Sequence, residues 1–423
     1  MEATSFADSQ IPIDAEPILT PALPRTHSST VRRRKVLYIA GFDPIGPRRY
    51  RELYRREATR SEHPISVEPL PIGPGRSFRW GAHWHDGHNR VSTEIEFLGW
   101  DDLVRDGLTR GILPIYRRML ATLGLYIGSG AFRAMRRLHR GPRIAAVGAL
   151  GMMLFYLAYA GLAAGAAFLL ATGPAAAPWP LGLVAAMLAF AGSMAATRLI
   201  ETQVMVYFLV NDLSFMAAEG GAYPDRLDRR LDGFAERLRR LLADSDWDEV
   251  LLVGHSSGAQ LAVSTAARAM GGAGAEARLS VLTLGQSIPM TSFLPGAGKL
   301  RAELAALADD ARVTWLDVSA PADGACFALC DPAAVSRTAG RPGASPLVIS
   351  AGFRRSMTPA AFAQARWRLM RRHFQYLCHA LPDAPFDWFA VSAGPVRLAK
   401  RYAETRPSPS LFAEPVAPIL HDG

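Results

Sequence analysis

The run Val250-Leu251-Leu252-Val253-Gly254-His255-Ser256-Ser257-Gly258-Ala259 holds the residue types that nucleophilic catalysis by a serine requires. An apolar stretch ends in Gly-x-Ser-x-Gly and passes into small helix-forming residues. The pattern predicts a nucleophile elbow, in which a buried strand turns sharply into a helix with Ser256 at the apex. The glycines have a steric reason. The apical residue takes a strained backbone, and the chain two residues to either side passes too close for a Cβ. Asp248–Val253 is read as the strand and Ala259–Met270 as the helix. A serine hydroxyl is a weak nucleophile alone; it needs a base to take its proton and an acid to orient that base.

The rest of the chain must position this turn. Val36–Ala40, Ile65–Leu70, Leu279–Leu284, Val313–Val318, Pro346–Ile349 and Trp388–Val391 are short apolar runs and strand candidates. Phe78–His85 and Val91–Leu98 read as a hairpin around Asp86-Gly87-His88-Asn89. Helical patterns fall at Arg48–Arg60, Asp225–Ala243, Lys299–Leu307 and Pro359–Tyr376. In Asp225–Ala243, the residues Leu227, Leu231, Phe234, Leu238 and Leu241 share one face. Helices alternating with apolar strands argue an α/β fold, a mainly parallel sheet covered on both faces.

Between Arg143 and Arg198 no residue is charged. Ile144–Ala171 is long and apolar enough to cross a bilayer, which takes about 20 residues; Leu181–Thr197 is a shorter second candidate. The turn at 173–180 separates them, and Gly161-x-x-x-Gly165 would let two helices approach closely. Upstream, Ile112–Arg137 reads as a basic amphipathic helix with Leu113, Tyr116, Leu120, Leu123 and Ile127 at helical spacing. Downstream, the apolar Glu201–Phe215 is a candidate lining for an entrance between bilayer and site.

The formal net charge is +9. Arg110, Arg117, Arg118, Arg133, Arg136, Arg137, Arg140 and Arg143 all precede the uncharged run. By the positive-inside rule that flank is cytoplasmic, which puts both termini and the catalytic parts there, in an integral protein of a bacterial-type inner or plasma membrane. The basic charge suits anionic lipid headgroups, and no nucleic-acid motif accompanies it. The three cysteines, Cys326, Cys330 and Cys378, supply no disulfide framework, and Cys326-x-x-x-Cys330 lacks a second ligand pair for zinc. No metal or cofactor is expected. Residues 1–34, rich in Pro, Ser and Thr and running into Arg32-Arg33-Arg34-Lys35, read as disordered.

On the elbow and the order of its partners, segments 36–70 and 225–380 resemble the α/β-hydrolase superfamily, in particular its membrane-associated serine lipases and esterases. The apolar hairpin lies outside the resemblance. The resemblance implies the chain order serine, acid, histidine, and after Ser256 come only His373, His379 and His421. His373 is favoured as the base, with His379 as the alternative; His421 stands two residues from the end of the sequence. The resemblance puts the acid after the strand Val313–Val318. There Asp323, at a loop tip before Gly324, is favoured over Asp317 within the strand. It further implies an oxyanion hole from the N–H groups of Ser257 and Phe42, Gly41-Phe42 resembling the His-Gly turn of lipases with Ala40 in place of the histidine.

The domain plan that follows is a disordered segment 1–34 and a hydrolase domain in two parts, 35–108 and 217–400. A membrane insertion at 109–216 carries helices at about 144–171 and 181–200, and a tail covers 401–423. The expected activity is cleavage of a lipid or other hydrophobic acyl ester. The alternatives are an acyltransferase with the same triad and a non-catalytic membrane scaffold.

Overall fold

Strand β1 (Arg33–Ile39) is apolar on both sides because both faces of the sheet are covered. The structure is a computed structural model that describes residues 30–73, 77–338, 346–366 and 368–419, the side chains of 202–204 excepted. In it Val36, Tyr38 and Ala40 join one core with Tyr50 and Tyr54 of α1 (Arg48–Ala58). Leu37 and Ile39 point the other way and join a second core.

After α1 come β2 (Ile65–Pro69), β3 (Phe78–His85) and β4 (Arg90–Phe97), then the short helix α2 (Asp101–Gly107). The chain then leaves the sheet through α3 (Ile112–Gly128), α4 (Ala131–Met135), α5 (Arg140–Thr172), α6 (Trp179–Val204) and α7 (Val206–Met216). It returns through α8 (Asp225–Leu242) to β5 (Glu249–His255), α9 (Ser257–Gly271), β6 (Leu279–Leu284), β7 (Val313–Ser319) and β8 (Leu347–Ser350). The strand order is β2-β3-β4-β1-β5-β6-β7-β8. From β4 to β8 the neighbours are parallel, and β3 runs antiparallel to both of its neighbours. The second core packs α8, α9 and the helix Gly298–Asp309 against the sheet, with the expected face of α8 buried.

From β1 the chain runs to one side of the sheet, and from β5 to the other. The carboxyl ends of β1 and β5 therefore flank a topological switch point, where open parallel sheets form a crevice. The turns Gly41-Phe42 and Ser256-Ser257 both lie at that crevice.

Helices α5 and α6 are long and apolar enough to cross a membrane. They are not a buried core hairpin: Leu162 is 76% exposed and Leu199 81%. The α5 residues Ala149, Met153, Tyr156 and Ala160 are buried in a cluster with Ile115, Tyr116 and Met119 of α3 and Val206, Tyr207 and Val210 of α7. Gly161 and Gly165 do not form the close approach expected of them, since a Cβ at either would meet open space. The tight contact is instead at Gly182, against Phe168 and Thr172.

Other expectations also change. The helix read over Ile112–Arg137 breaks at Gly128, because Gly130 takes φ 76°. Leu113, Leu120 and Ile127 form an exposed stripe while Ile115, Met119 and Tyr126 are buried. Trp388–Val391 is not a strand. Asp387 caps it by accepting the N–H groups of Phe389 and Ala390, which starts a helix at Trp388. Pro359–Tyr376 is not one helix but Pro359–Gln364, Leu369–His373 and a 3₁₀ turn Phe374–Leu377. His421 and residues 1–29 lie outside the described residues.

Arg33 and Arg34, read as disordered, belong to β1. Arg34 is fully buried and bonds Glu249 at 2.8 Å, with further bonds to the carbonyls of Gly394 and Val396. Lys35 is buried between Glu94 and Glu96. Removing one member of such a pair leaves an uncompensated buried charge. Arg34→Ala should therefore lower unfolding free energy by about 3–5 kcal/mol, and pairing Arg34→Met with Glu249→Met should recover most of the loss in denaturant titrations.

Candidate active site

Ser256 sits at φ 59°, ψ −130° between β5 and α9, a conformation that costs a non-glycine residue about 1–3 kcal/mol. Its N–H donates to the Leu284 carbonyl at 2.9 Å, which ties the turn to β6. The neighbouring glycines are sterically required. A Cβ at Gly254 would lie 2.4 Å from the Gly258 oxygen, and one at Gly258 would lie 2.4 Å from the Ala40 oxygen. A third glycine, Gly41 after β1, would place its Cβ 2.8 Å from that of Ser256.

Among the described residues, Asp323 is hydrogen-bonded to His373 and to no other histidine. Asp323 Oδ2 lies 2.8 Å from His373 Nδ1, and both side chains are buried. Burial alone would raise the Asp323 carboxyl. His373, the Ala325 N–H and the Tyr376 hydroxyl hold it below the ordinary carboxylate range instead. Burial would lower His373, and Asp323 outweighs it, so the imidazole lies above its ordinary value. The alternatives stand elsewhere. Asp317 accepts the Thr283 hydroxyl at 2.7 Å, and His379 pairs with Glu57 at 2.8 Å.

His373 Nε2 is buried and has no hydrogen-bond partner among the described residues, so no bond joins it to Ser256 here. Both residues line one cavity of about 400 Å³. Its walls are mostly apolar: Met119 and Leu123 of α3, Ala146 and Leu150 of α5, Phe208 and Leu213 of α7. The apolar segment read as an entrance lining thus does line the cavity.

The Ser257 N–H opens α9, where first-turn N–H groups have no intrahelical acceptor. The Phe42 N–H is not free; it donates to the Ser257 hydroxyl at 3.0 Å.

Three participants were not read from the sequence. His255 lies under His373 with ring centroids 4.7 Å apart, and its Nε2 lies 2.9 Å from the His373 carbonyl. Burial and the neighbouring His373 push its pKa down to about 3, so the neutral ring can donate that bond and fix the His373 backbone. Tyr376 donates to Asp323 at 3.0 Å and packs over Gly285, where a Cβ would meet its ring. The third is Asp212 of α7. The signal for Asp212 was an acid inside an otherwise apolar helix.

Comparison of the chain with protein-family models, with curated proteins and with solved structures gives no match.

These environments are testable by imidazole NMR. The His373 ring should titrate above pH 6.5 and shift downward in Asp323→Asn, since its partner charge is gone. His255 should remain neutral until about pH 3.

Proposed function

We propose that this protein is a membrane-anchored serine hydrolase of the α/β-hydrolase type, cleaving a lipid or other hydrophobic acyl ester through an acyl-enzyme on Ser256. One observation carries the reading: a strained serine at the switch point of the sheet faces an apolar cavity together with a buried Asp323–His373 pair. That combination suits nucleophilic catalysis, because strain and burial are maintained where a side chain must be presented to a ligand.

In the proposed reaction His373 Nε2 accepts the Ser256 proton as Oγ attacks the ester carbonyl. The unpartnered Nε2 supports this role, and apo sites commonly hold such contacts long. Asp323 stabilises the imidazolium and fixes its tautomer. The oxyanion is held by the N–H groups of Ser257 and Phe42. His373 then gives its proton to the departing alcohol, leaving the acyl group on Ser256. Water attacks the acyl carbonyl, its proton passes through His373 to Ser256, and the acid leaves.

The membrane part of the proposal rests on α5 and α6. Their exposed apolar surface and the arginines on the near flank support two crossings, with the sheet and both termini on the cytoplasmic side. The exposed stripe of Leu113, Leu120 and Ile127 on α3 suits contact with the bilayer surface.

A fluorophosphonate probe should label the wild type and not Ser256→Ala, while Ser257→Ala should still be labelled. His373→Ala should lose several orders of magnitude in kcat on p-nitrophenyl esters. Asp323→Asn should lose more than Asp317→Asn, because Asp323 bonds His373 and Asp317 bonds Thr283. An unlabelled wild type, or a reversed order of the two aspartates, would overturn the assignment.

Topology has its own test. In intact cells an impermeant thiol reagent should modify Ala176→Cys, in the turn between α5 and α6, and spare Glu276→Cys. Protection of Ala176→Cys in a protein that carbonate strips from membranes would leave the hairpin as a lid.

A further inference from the structure

Asp212 is a carboxyl group in the cavity wall that the proposed triad does not use. The other wall carboxyl, Asp43, is bonded at 2.8 Å by both Arg49 and Tyr50. Asp212 has one hydrogen bond among the described residues, a long one of 3.4 Å donated by the Ser257 hydroxyl. Burial pushes its pKa up to about 7, against the opposing effects of His373 and of that hydroxyl.

The same hydroxyl is an acceptor on its other side. The Phe42 N–H donates to Ser257 Oγ at 3.0 Å. A hydroxyl has one proton and two lone pairs. With its proton on Asp212, a lone pair faces Phe42. The chain Phe42 N–H to Ser257 to Asp212 thus fills the place where the proposed mechanism needs an open donor. We propose that Asp212 is a positioning residue that latches the oxyanion hole closed in the resting protein, holding the Ser257 hydroxyl over the Phe42 N–H until substrate displaces it. This rests on the serine-hydrolase reading above.

The position of the latch gives substrate a way to release it. Asp212 lies on α7, which follows α6 directly through Met205 in the left-handed region at φ 55°. Phe208 and Leu213 of the same helix line the cavity that an acyl chain would fill. A chain packing on these two side chains bears on the helix that carries Asp212. The hydrogen bond it must break is already the longest in the relay. Once Ser257 turns about its Cα–Cβ bond, the Phe42 N–H is open to the oxyanion and α9 need not move.

The test is the kinetics of fluorophosphonate labelling of the full chain in detergent, resolved into the maximal inactivation rate and the probe's half-saturating concentration. Ser257→Ala and Asp212→Ala should each raise the maximal rate about three- to tenfold, the size of one neutral hydrogen bond, with half-saturation little changed. The double variant should gain no more than the better single, since both break one relay. Asp212→Asn, whose amide oxygen can still accept the Ser257 proton, should gain less than Asp212→Ala. Unfolding midpoints identify any variant that is merely misfolded, and Ser257→Ala then carries the test alone. A slower maximal rate in Ser257→Ala, or gains that multiply in the double variant, would overturn the latch. A wild type that never labels would instead overturn the hydrolase reading itself.

Discussion

Three stretches of backbone meet at Ser256 more closely than side chains permit. The end of β1, the end of β5 and the first turn of α9 touch at Gly41, Gly254 and Gly258, and a Cβ at any of the three would collide with a neighbour. This contact fixes the height of Ser256 above the sheet and the angle at which α9 crosses it. It also requires β1 and β5 to be adjacent and parallel, which they are from Arg34↔Glu249 to Ile39↔Gly254. The strain at Ser256 is small beside the burial it permits: Leu261, Ala262, Val263 and Ala266 of α9 are all fully buried against the sheet. Adding a side chain at any of these glycines would push the helix off the sheet, so the turn and the core stand or fall together.

Hydrogen bonding divides the labour between two buried carboxyl groups that flank His373. Asp323 accepts from the Ala325 N–H, from Tyr376 and from His373, and these hold its charge against desolvation. Asp212, with one long bond, moves the other way. The residue type is the same, and the two carboxyls shift in opposite directions because the His373 charge and three donors oppose burial at Asp323, against one long bond and a weaker effect of His373 at Asp212. His255 completes the arrangement from below, because a ring that stays neutral can bond the His373 carbonyl without adding a second positive charge.

What was legible in the sequence was local. The run Val250–Ala259 carries its own steric logic, and β3, β4, β6, β7 and α8 follow from periodicity over short windows. The pairing of Asp323 with His373 came from the chain order that the resemblance implies, and the structure brings those two side chains together. What was missed depends on tertiary partners. Arg34 and Lys35 look like a solvated basic cluster until Glu249, Glu94 and Glu96 arrive from other strands. Trp388–Val391 has strand composition, and one side chain, Asp387, makes it a helix. Gly161 and Gly165 have helix-packing spacing, but the buried face of α5 is set by Met153, Tyr156 and Ala160, which turns both glycines outward. Asp212 gave a weak signal because its partner, Ser257, lies 45 residues away in sequence.

The foot of α5 joins the uncharged hairpin to the site. Gly141 packs directly on the acid loop, where its Cβ would lie 3.1 Å from the Gly324 Cα and 3.2 Å from the Asp323 oxygen. Arg143 is the last charge before the apolar run, and Ala146 and Leu150 are already cavity wall. At 1.5 Å of rise per residue, Leu150 stands about 9 Å beyond Ile144 along the helix. If α5 crosses a bilayer as proposed, the hydrocarbon boundary falls near Ile144. The cavity then opens within about two helical turns of it, close to the interfacial depth at which lipid esters reside. An ester could reach Ser256 along α5 and α7 with its acyl chain still in apolar surroundings. Its approach would be constrained by the same helix foot that braces the Asp323 loop.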